Sequence, residues 1–213
     1  MSRPEHLVLV TGTGTDVGKT WVTVELVRRL RGQGLSVAAR KPAQSFAPED
    51  PSTDASLLGE ASGVGAEEVC PPHRWYPVPL APPMAADALA RGRIAIDDLI
   101  AELAWPDATT VGFLEGAGGP CSPIAHDGDT VTLAERLHPD LTLLVADPAL
   151  GVVSNVRLAA RALAGWPLLV LLNRYDGTDE VHRRSRDWLR DTEGLTVLTD
   201  VAGVADRLTA RLA

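Results

Sequence analysis

The chain has 213 residues, of which 45% are hydrophobic, and its formal net charge at pH 7 is −8. This content of apolar residues suffices for a large core, and we expect residues 1–213 to form one domain. The negative charge and the dispersed lysines and arginines argue against nucleic acid as a partner, because its phosphates need a basic face. No run of about 18 apolar residues occurs and the first residues lack the apolar core of a signal peptide, so we expect a cytoplasmic protein without a membrane partner.

The cysteines and histidines do not form a recognisable metal or disulfide pattern. Cys70 and Cys121 are the only cysteines and lie far apart in the sequence. The five histidines show no spacing of the kind that binds zinc. We therefore expect reduced thiols and no zinc site.

Residues 12–20 read GTGTDVGKT, which satisfies the phosphate-loop pattern G-x-x-x-x-G-K-[ST], and they follow the apolar run at 7–10. A chance match is the alternative, but a strand precedes the loop and a helical apolar pattern follows it as far as Gly32 or Gly34. Lys19 is expected to reach the β- and γ-phosphates, and the Thr20 hydroxyl is expected to bind Mg²⁺. The predicted nucleotide contacts within this loop are Gly14, Thr15, Asp16, Val17, Gly18, Lys19 and Thr20.

The stretch after the first helix predicts a second strand at 35–39 that ends at Lys41 and Pro42, followed by a polar loop at 43–53. Thr53 is expected to cap a short helix that runs to Gly63. Residues 71–83 contain six prolines and therefore suit neither a long helix nor a central strand. We interpret them as an ordered, extended loop over the rim of the sheet rather than a disordered linker.

The second informative stretch is the buried strand predicted at 110–115, which follows helices predicted at 84–90 and 97–104. It delivers Glu115 to the carboxyl end of the strand, the edge at which open α/β sheets bind ligands. Small residues at 116–119 let the backbone approach such a ligand. A carboxylate that merely caps a strand end is the alternative.

The remaining pattern again alternates helices and strands. A capping box formed by Thr132 and Glu135 predicts a short helix, and strands at 141–146, 168–172 and 195–198 are separated by helices at 151–163 and 179–189 before a terminal helix. This alternation predicts an α/β protein with a three-layer P-loop NTPase fold, in which a mostly parallel central sheet has helices on both faces. Lys41, Glu115 and Asn173 would then join the phosphate loop at one rim, an arrangement that suggests phosphoryl transfer.

Five motifs resemble those of the ATP-dependent dethiobiotin synthetases: GTGTDVGKT, KPAQS, STDASLL, LEGAGG and LLN. They occur in the order and spacing of that family and span residues 7 to 175. The resemblance implies ATP and Mg²⁺ as cofactors, and 7,8-diaminononanoate and CO₂ or bicarbonate as substrates. It also implies a homodimer with composite active sites.

The resemblance further implies roles for individual residues. The metal ligands would be Thr20, Asp54 and Glu115, and Asn173 would lie on the adenine side. Lys41 would stabilise a carbamate, and the catalytic set implied by the family is Lys41, Lys19, Thr15 and Ser45. The implied substrate contacts are Lys41, Ser45, Gly118, Gly151, Val152 and Val153.

Three positions differ from the family pattern. Phe46 stands where a glycine is usual, which predicts a different turn or a narrower pocket. Ser154 and Asn155 replace an Asn-His pair, and residues 199–200 replace a proline near the adenine. We expect Asn173 to read a purine edge without the N-K-x-D pattern that selects guanine.

Two other functions remain open from the sequence. One is a partition or cell-division ATPase of the ParA/MinD type. Such a protein would carry a signature lysine at position 13, where this chain has Thr13, so the sequence argues against it. A relative that activates another carboxylate or carbamate, such as a cobyrinate-type amide synthetase, would need a glutaminase domain to supply ammonia. A variant substrate for the same chemistry also stays possible.

Overall fold

The computed structural model describes residues 3–212. Within this range, six parallel strands form the main sheet: β1 (His6–Gly12), β2 (Val37–Arg40), β5 (Val111–Glu115), β8 (Leu141–Ala146), β9 (Leu168–Leu172) and β10 (Val197–Leu198). Their spatial order is β10-β9-β8-β1-β5-β2.

Helices cover both faces of this sheet, which confirms the predicted fold class. The alternation of side chains along β1 directs Val8 and Val10 into one core cluster and Leu7 and Leu9 into another. The helices are α1 (Lys19–Gly32), α2 (Asp54–Ser62), α3 (Ala66–Val69), α4 (Pro82–Ala88), α5 (Ile96–Ala101), α6 (Thr130–Leu137), α7 (Val152–Ala162), α8 (Glu180–Asp191) and α9 (Val201–Leu212). None of these described helices is long and apolar enough to cross a membrane.

The order of the strands explains where a ligand can bind. β1 lies between β5 and β8, so the chain leaves the carboxyl end of β1 at a point where neighbouring connections run in opposite directions. Such a point opens a crevice at the carboxyl edge of a parallel sheet. The phosphate loop at 12–20 starts at this crevice because it directly follows β1.

Two short strand pairs lie outside the main sheet and were not predicted. β3 (Gln44–Ser45) pairs in parallel with β4 (Trp75–Tyr76), and β6 (Pro123–Ala125) pairs with β7 (Gly128–Asp129). The first pair ties the proline-rich segment to the loop after β2. Tyr76 is only 1% exposed, so the segment is ordered and packed within this chain.

Several predicted boundaries were wrong by a few residues. The helix expected at 84–90 begins at Pro82, because proline suits the first turn of a helix. The helix expected to start with a Thr132–Glu135 capping box is instead capped by Asp129, whose side chain accepts from the Thr132 N–H. The second strand is Val37–Arg40 rather than 35–39, the last one is Val197–Leu198 rather than 195–198, and the helix expected at 97–104 is Ile96–Ala101.

Candidate active site

Two glycines of the phosphate loop, Gly12 and Gly18, leave no room for a side chain. Gly18 has a φ of +91°, a left-handed conformation, and a Cβ at this position would collide with the Asn173 amide nitrogen. A Cβ on Gly12 would lie 2.6 Å from Val17 Cγ2. The loop is therefore curled so tightly that its backbone groups, rather than side chains, line its inner side.

Lys19 lies at the start of α1 and spans this loop. Its Nζ donates to the carbonyl of Gly14 at 2.9 Å, and the side chain is buried. Burial lowers the pKa of Lys19 below its ordinary value, and the nearby positive charge of Lys41 lowers it further. A polyphosphate in the loop would compensate both effects.

Thr20 brings two carboxylates together, one from α2 and one from the end of β5. Its hydroxyl lies 2.8 Å from Asp54 Oδ1 and 2.7 Å from Glu115 Oε1. The second Glu115 oxygen accepts from the Thr23 hydroxyl at 3.0 Å, one turn further along α1. Glu115 is completely buried, so all of its compensation must come from such partners.

Lys41 supplies the positive charge for this pair of acids. Its Nζ lies 2.8 Å from Asp54 Oδ2 and 2.9 Å from Glu115 Oε1, and the side chain is 3% exposed. Burial acts to lower the pKa of Lys41, but the charges of Asp54 and Glu115 outweigh burial and raise that pKa well above its ordinary value. Burial likewise acts to raise the pKa of Asp54, whereas Lys41 and Thr20 bring it below its ordinary value.

These residues fit a nucleotide and a magnesium ion. The loop presents backbone donors and Lys19 to phosphates, while Thr20, Asp54 and Glu115 form a set of oxygen donors of the kind that Mg²⁺ prefers. Across residues 3–212, no three His, Cys, Asp or Glu side chains gather into a metal site of their own. The metal would therefore need the Thr20 hydroxyl, water and phosphate oxygens in addition to the two acids.

The loop opens into a cleft with a volume of about 980 Å³. Of the residues implied by the family pattern, those that line this cleft are Thr15, Asp16, Gly18, Lys19, Thr20, Lys41, Ser45, Asp54 and Gly118. Glu115 lies beneath the cleft floor, bonded to Lys41 and Thr20. Thr15, Ser45 and Gly118 thus share one space with the Lys41 side chain.

Asn173 lies under the loop rather than on the cleft surface. It is 6% exposed, and its Nδ2 donates to the Val17 carbonyl at 2.9 Å. The Asn173 amide, which we expected to bind a purine, therefore uses one of its hydrogen bonds to hold the loop. Its neighbour Arg174 lines the cleft instead.

Gly151, Val152 and Val153 lie at the start of α7, outside the cleft lining. Gly151 has a φ of +100°, and no atom lies within 4 Å of the position of a Cβ there. Val152 is buried and its N–H already donates to the Ala149 carbonyl at 3.0 Å, so it has no free backbone donor for a ligand. Gly151 and Val153 are the better placed of the three.

Sequence reasoning missed several residues of the cleft, among them Trp21, Gln44, Asp50 and Arg174. Gln44 is the most informative, because its Oε1 accepts from the Ala55 N–H at 2.9 Å and its buried Nε2 has no partner within residues 3–212. It thereby fixes the start of α2, which carries Asp54. Its place between Lys41 and Ser45 in the KPAQS motif was the available signal.

Comparison with solved structures supports the fold. The chain resembles a putative plasmid partition protein from Borrelia burgdorferi bound to AMPPNP, with a TM-score of 0.56, 10% identity and coverage of 93% of this chain and 88% of that one. It also resembles chloroplast FtsY from Physcomitrella patens, with a TM-score of 0.55, 14% identity and coverage of 97% and 65%. At such low identity these similarities concern the fold alone.

Comparison of sequences identifies the family. A family model described as an AAA domain matches residues 6–204. ATP-dependent dethiobiotin synthetase BioD from Haloferax mediterranei is 36% identical over 203 residues, which cover 93% of this chain and 85% of that protein. The protein of the same name from Rhodococcus erythropolis is 37% identical over 198 residues, with coverage of 90% and 86%. The chain belongs to the family of ATP-dependent dethiobiotin synthetases.

Proposed function

We propose that this chain is an ATP-dependent dethiobiotin synthetase, a ligase of biotin biosynthesis. It would convert 7,8-diaminononanoate, CO₂ and ATP into dethiobiotin, ADP and phosphate, and it would act in the cytoplasm as one nucleotide-binding domain. The observation that carries this proposal is the buried Lys41 ammonium, which lies beside the phosphate loop and between Asp54 and Glu115. A phosphate loop alone needs only Lys19, so a second buried cation supports chemistry on an additional anion.

Lys41 is proposed to hold the carbamate that forms when one amine of the substrate adds to CO₂. A carbamate oxygen then attacks the γ-phosphorus, the bond to ADP breaks, and a mixed carbamic-phosphoric anhydride results. The second amine attacks the carbonyl carbon of this anhydride, closes the ring and expels phosphate. Two anions must approach each other in the first transfer, and Lys19 and Lys41 supply fixed positive charge at that point.

The other cleft residues are proposed to orient these groups. Thr15 and Ser45 have hydroxyls that line the same cleft as Lys41, and Gly118 leaves room there for the aliphatic chain of the substrate. Thr20, Asp54 and Glu115 would hold Mg²⁺ directly or through water, and the ion would neutralise charge on the phosphates. Asp54 has an additional role, since it and Glu115 keep Lys41 protonated and in place.

The working unit is proposed to be a homodimer whose sites draw on both chains. Leu150, directly before Gly151, is 91% exposed, and Leu158 on α7 is also exposed. The free N–H groups at the start of α7 suit the carboxylate of a substrate bound to a neighbouring chain. Trp75 is half-buried and Tyr76 is buried within its own chain, so the proline-rich segment has less apolar surface for this interface than expected.

The experiment is a measurement of phosphate release from ATP with diaminononanoate and bicarbonate, each omitted in turn. Mass spectrometry of the product should detect dethiobiotin only when all components are present. Phosphate release that does not depend on the diamine would instead indicate a switch ATPase. Release that requires a diamine or carboxylate other than diaminononanoate would indicate a variant substrate.

A further inference from the structure

The cleft has an apolar wall to which the chemistry proposed above gives no role. The residues of this wall, all of which line the cleft, are Phe46, Ala47, Pro79, Leu80 and Ala81. Lys41 and Ser45 line the same cleft. Phe46 is partly buried and Leu80 is 41% exposed, so both side chains have surface that a ligand can cover. An apolar surface inside a charged cleft indicates contact with an apolar part of a ligand.

The two segments that form the wall are held together by their backbones. Ser45 pairs with Tyr76 where β3 meets β4, and the Phe46 N–H donates to the Tyr76 carbonyl at 3.1 Å. The Leu80 N–H donates to the Val78 carbonyl at 2.8 Å. Tyr76 is 1% exposed in a core cluster against which Val78 also packs. The wall is therefore formed before any ligand binds.

The order of the strands places the wall on the Lys41 side of the phosphate loop. Lys41 and Phe46 follow β2 in the chain, and β2 lies two places from β1, beyond β5. Asn173 and Arg174 follow β9, which lies two places from β1 in the other direction, beyond β8. The wall therefore accompanies the cation that would face the second substrate, whereas the predicted adenine contact belongs to the other side of the loop.

We propose that Phe46 and Leu80 bind the aliphatic chain of the diamine substrate and select for its length. This inference rests on the proposed function and adds a determinant of specificity to it. In 7,8-diaminononanoate, a run of methylene groups separates the two amines from the carboxylate. Methylene groups gain free energy when they leave water for an apolar surface. With the carbamate held at Lys41, the wall is the apolar surface of the cleft that can receive them.

Phe46 is also the position at which this chain differs from the family pattern. A phenyl ring offers an apolar face to a ligand, which a glycine lacks. A methylene group that is fully covered contributes about fourfold to binding, and a wall that covers one side of it contributes less. The ring should therefore make this chain more selective for long aliphatic chains than a glycine would.

The decisive variants are Phe46→Gly and Leu80→Ala, with Leu57→Ala as the matched control. Leu57 lies on α2, is 39% exposed and is not part of the cleft lining. The assay measures kcat/KM for vicinal alkyl diamines from 2,3-diaminobutane to 2,3-diaminooctane, with ATP and bicarbonate. These diamines lack a carboxylate, so their chain length changes apolar contact alone. Calorimetric binding of the same diamines in the presence of Mg·AMPPNP requires no turnover.

We expect kcat/KM and affinity to rise about twofold to fourfold for each added methylene group in the unaltered chain. Phe46→Gly and Leu80→Ala should each reduce this increment, and Leu57→Ala should leave it unchanged. A variant that merely disturbs the fold would lower the values for all diamines equally and keep the increment. The affinity for Mg·AMPPNP should stay within about twofold in all three variants.

The proposal is overturned if chain length has no effect in the unaltered chain, or if Phe46→Gly and Leu80→Ala keep the increment of Leu57→Ala. Equal losses of Mg·AMPPNP and diamine affinity in Phe46→Gly would also overturn it, since the wall would then belong to the nucleotide. If diaminononanoate does not stimulate phosphate release, the proposed function fails. The calorimetric series still decides whether the wall binds an aliphatic chain, and no binding of any diamine would count against it.

Discussion

The replacement of Lys41 by glutamine tests the centre of the proposed mechanism. Lys41 Nζ bonds Asp54 at 2.8 Å and Glu115 at 2.9 Å while almost fully buried. The substitution leaves Glu115 buried with only the hydroxyls of Thr20 and Thr23 as donors. Removal of one partner leaves the other charge buried and unpaired. We therefore expect the free energy of unfolding to fall by about 3 kcal/mol, near the low end of the range for the disruption of buried ion pairs.

For a chain of this length, about 3 kcal/mol corresponds to a decrease in Tm of roughly 6–12 °C. The decrease in turnover should be larger than the loss of folded protein can explain. Lys41 is held by Asp54 and Glu115, and on the ligand side its charge would act on the carbamate and the transferring phosphoryl group, mainly in the transition state. We therefore expect kcat to fall at least about 10²-fold, with a much smaller change in Mg·ATP affinity. Thermal unfolding, nucleotide titration and diamine-dependent phosphate release measure the three quantities.

Arg40 offers the matched control, because it is the adjacent residue and equally buried. Its guanidinium binds the Ala104 and Ala39 carbonyls and lies over the Trp105 ring, away from the cleft. Arg40→Gln should therefore lower Tm as well but keep turnover in the fraction that remains folded. If Lys41→Gln turns over within about tenfold of the unaltered chain, the role given to Lys41 is wrong.

Three further predictions follow from the same geometry. Gly18→Ala should weaken ATP binding about tenfold or more, measured by titration, because a φ of +91° and the contact with Asn173 exclude a Cβ. Asp54→Asn should reduce the loss of unfolding free energy at acidic pH, measured by urea unfolding at a series of pH values. The pKa of Asp54 is lowered in the folded state, so its contribution to stability is present above about pH 4 and is lost as the pH falls through its folded-state pKa. Val153→Glu should be inactive alone, and a mixture with Lys41→Gln should regain part of the activity if each site draws on both chains; no recovery in mixed dimers would exclude composite sites.

The parallel sheet and its phosphate loop were predictable because their signals are local. A buried strand in a parallel sheet reads as a continuous apolar run, and the pattern of residues 12–20 specifies its own backbone shape. Asp54 and Glu115 were predictable only as candidates, from the ends of elements and from the family resemblance. Their convergence on Thr20, at 2.8 and 2.7 Å, depends on how α2 and β5 pack, which no local pattern records.

Asn173 illustrates why the rest could not be predicted. Its motif predicts a contact with a purine, which stays a prediction, but the motif does not indicate that the Asn173 amide also donates to the Val17 carbonyl 156 residues away. The boundaries of α4 escaped prediction for a different reason, since a proline cluster was interpreted only as a helix breaker although proline is favoured in the first turn. In both cases the sequence pattern indicated one role for a residue and did not indicate the second role that the fold gives it.

The charges of the site explain why these distant motifs act as one unit. Lys19 and Lys41 contribute two positive charges and Asp54 and Glu115 two negative ones, so the cluster is neutral before any ligand binds. Neutrality matters because an unpaired charge buried at this depth costs several kcal/mol. A triphosphate that enters the loop must therefore bring its own cation or draw Lys41 away from the acids. Asp54 and Glu115, which hold the Lys41 ammonium, are also the carboxylates that would hold Mg²⁺, and that ion would supply positive charge for the phosphates. The same two acids therefore connect the nucleotide side of the cleft to the cation that would face an anionic substrate.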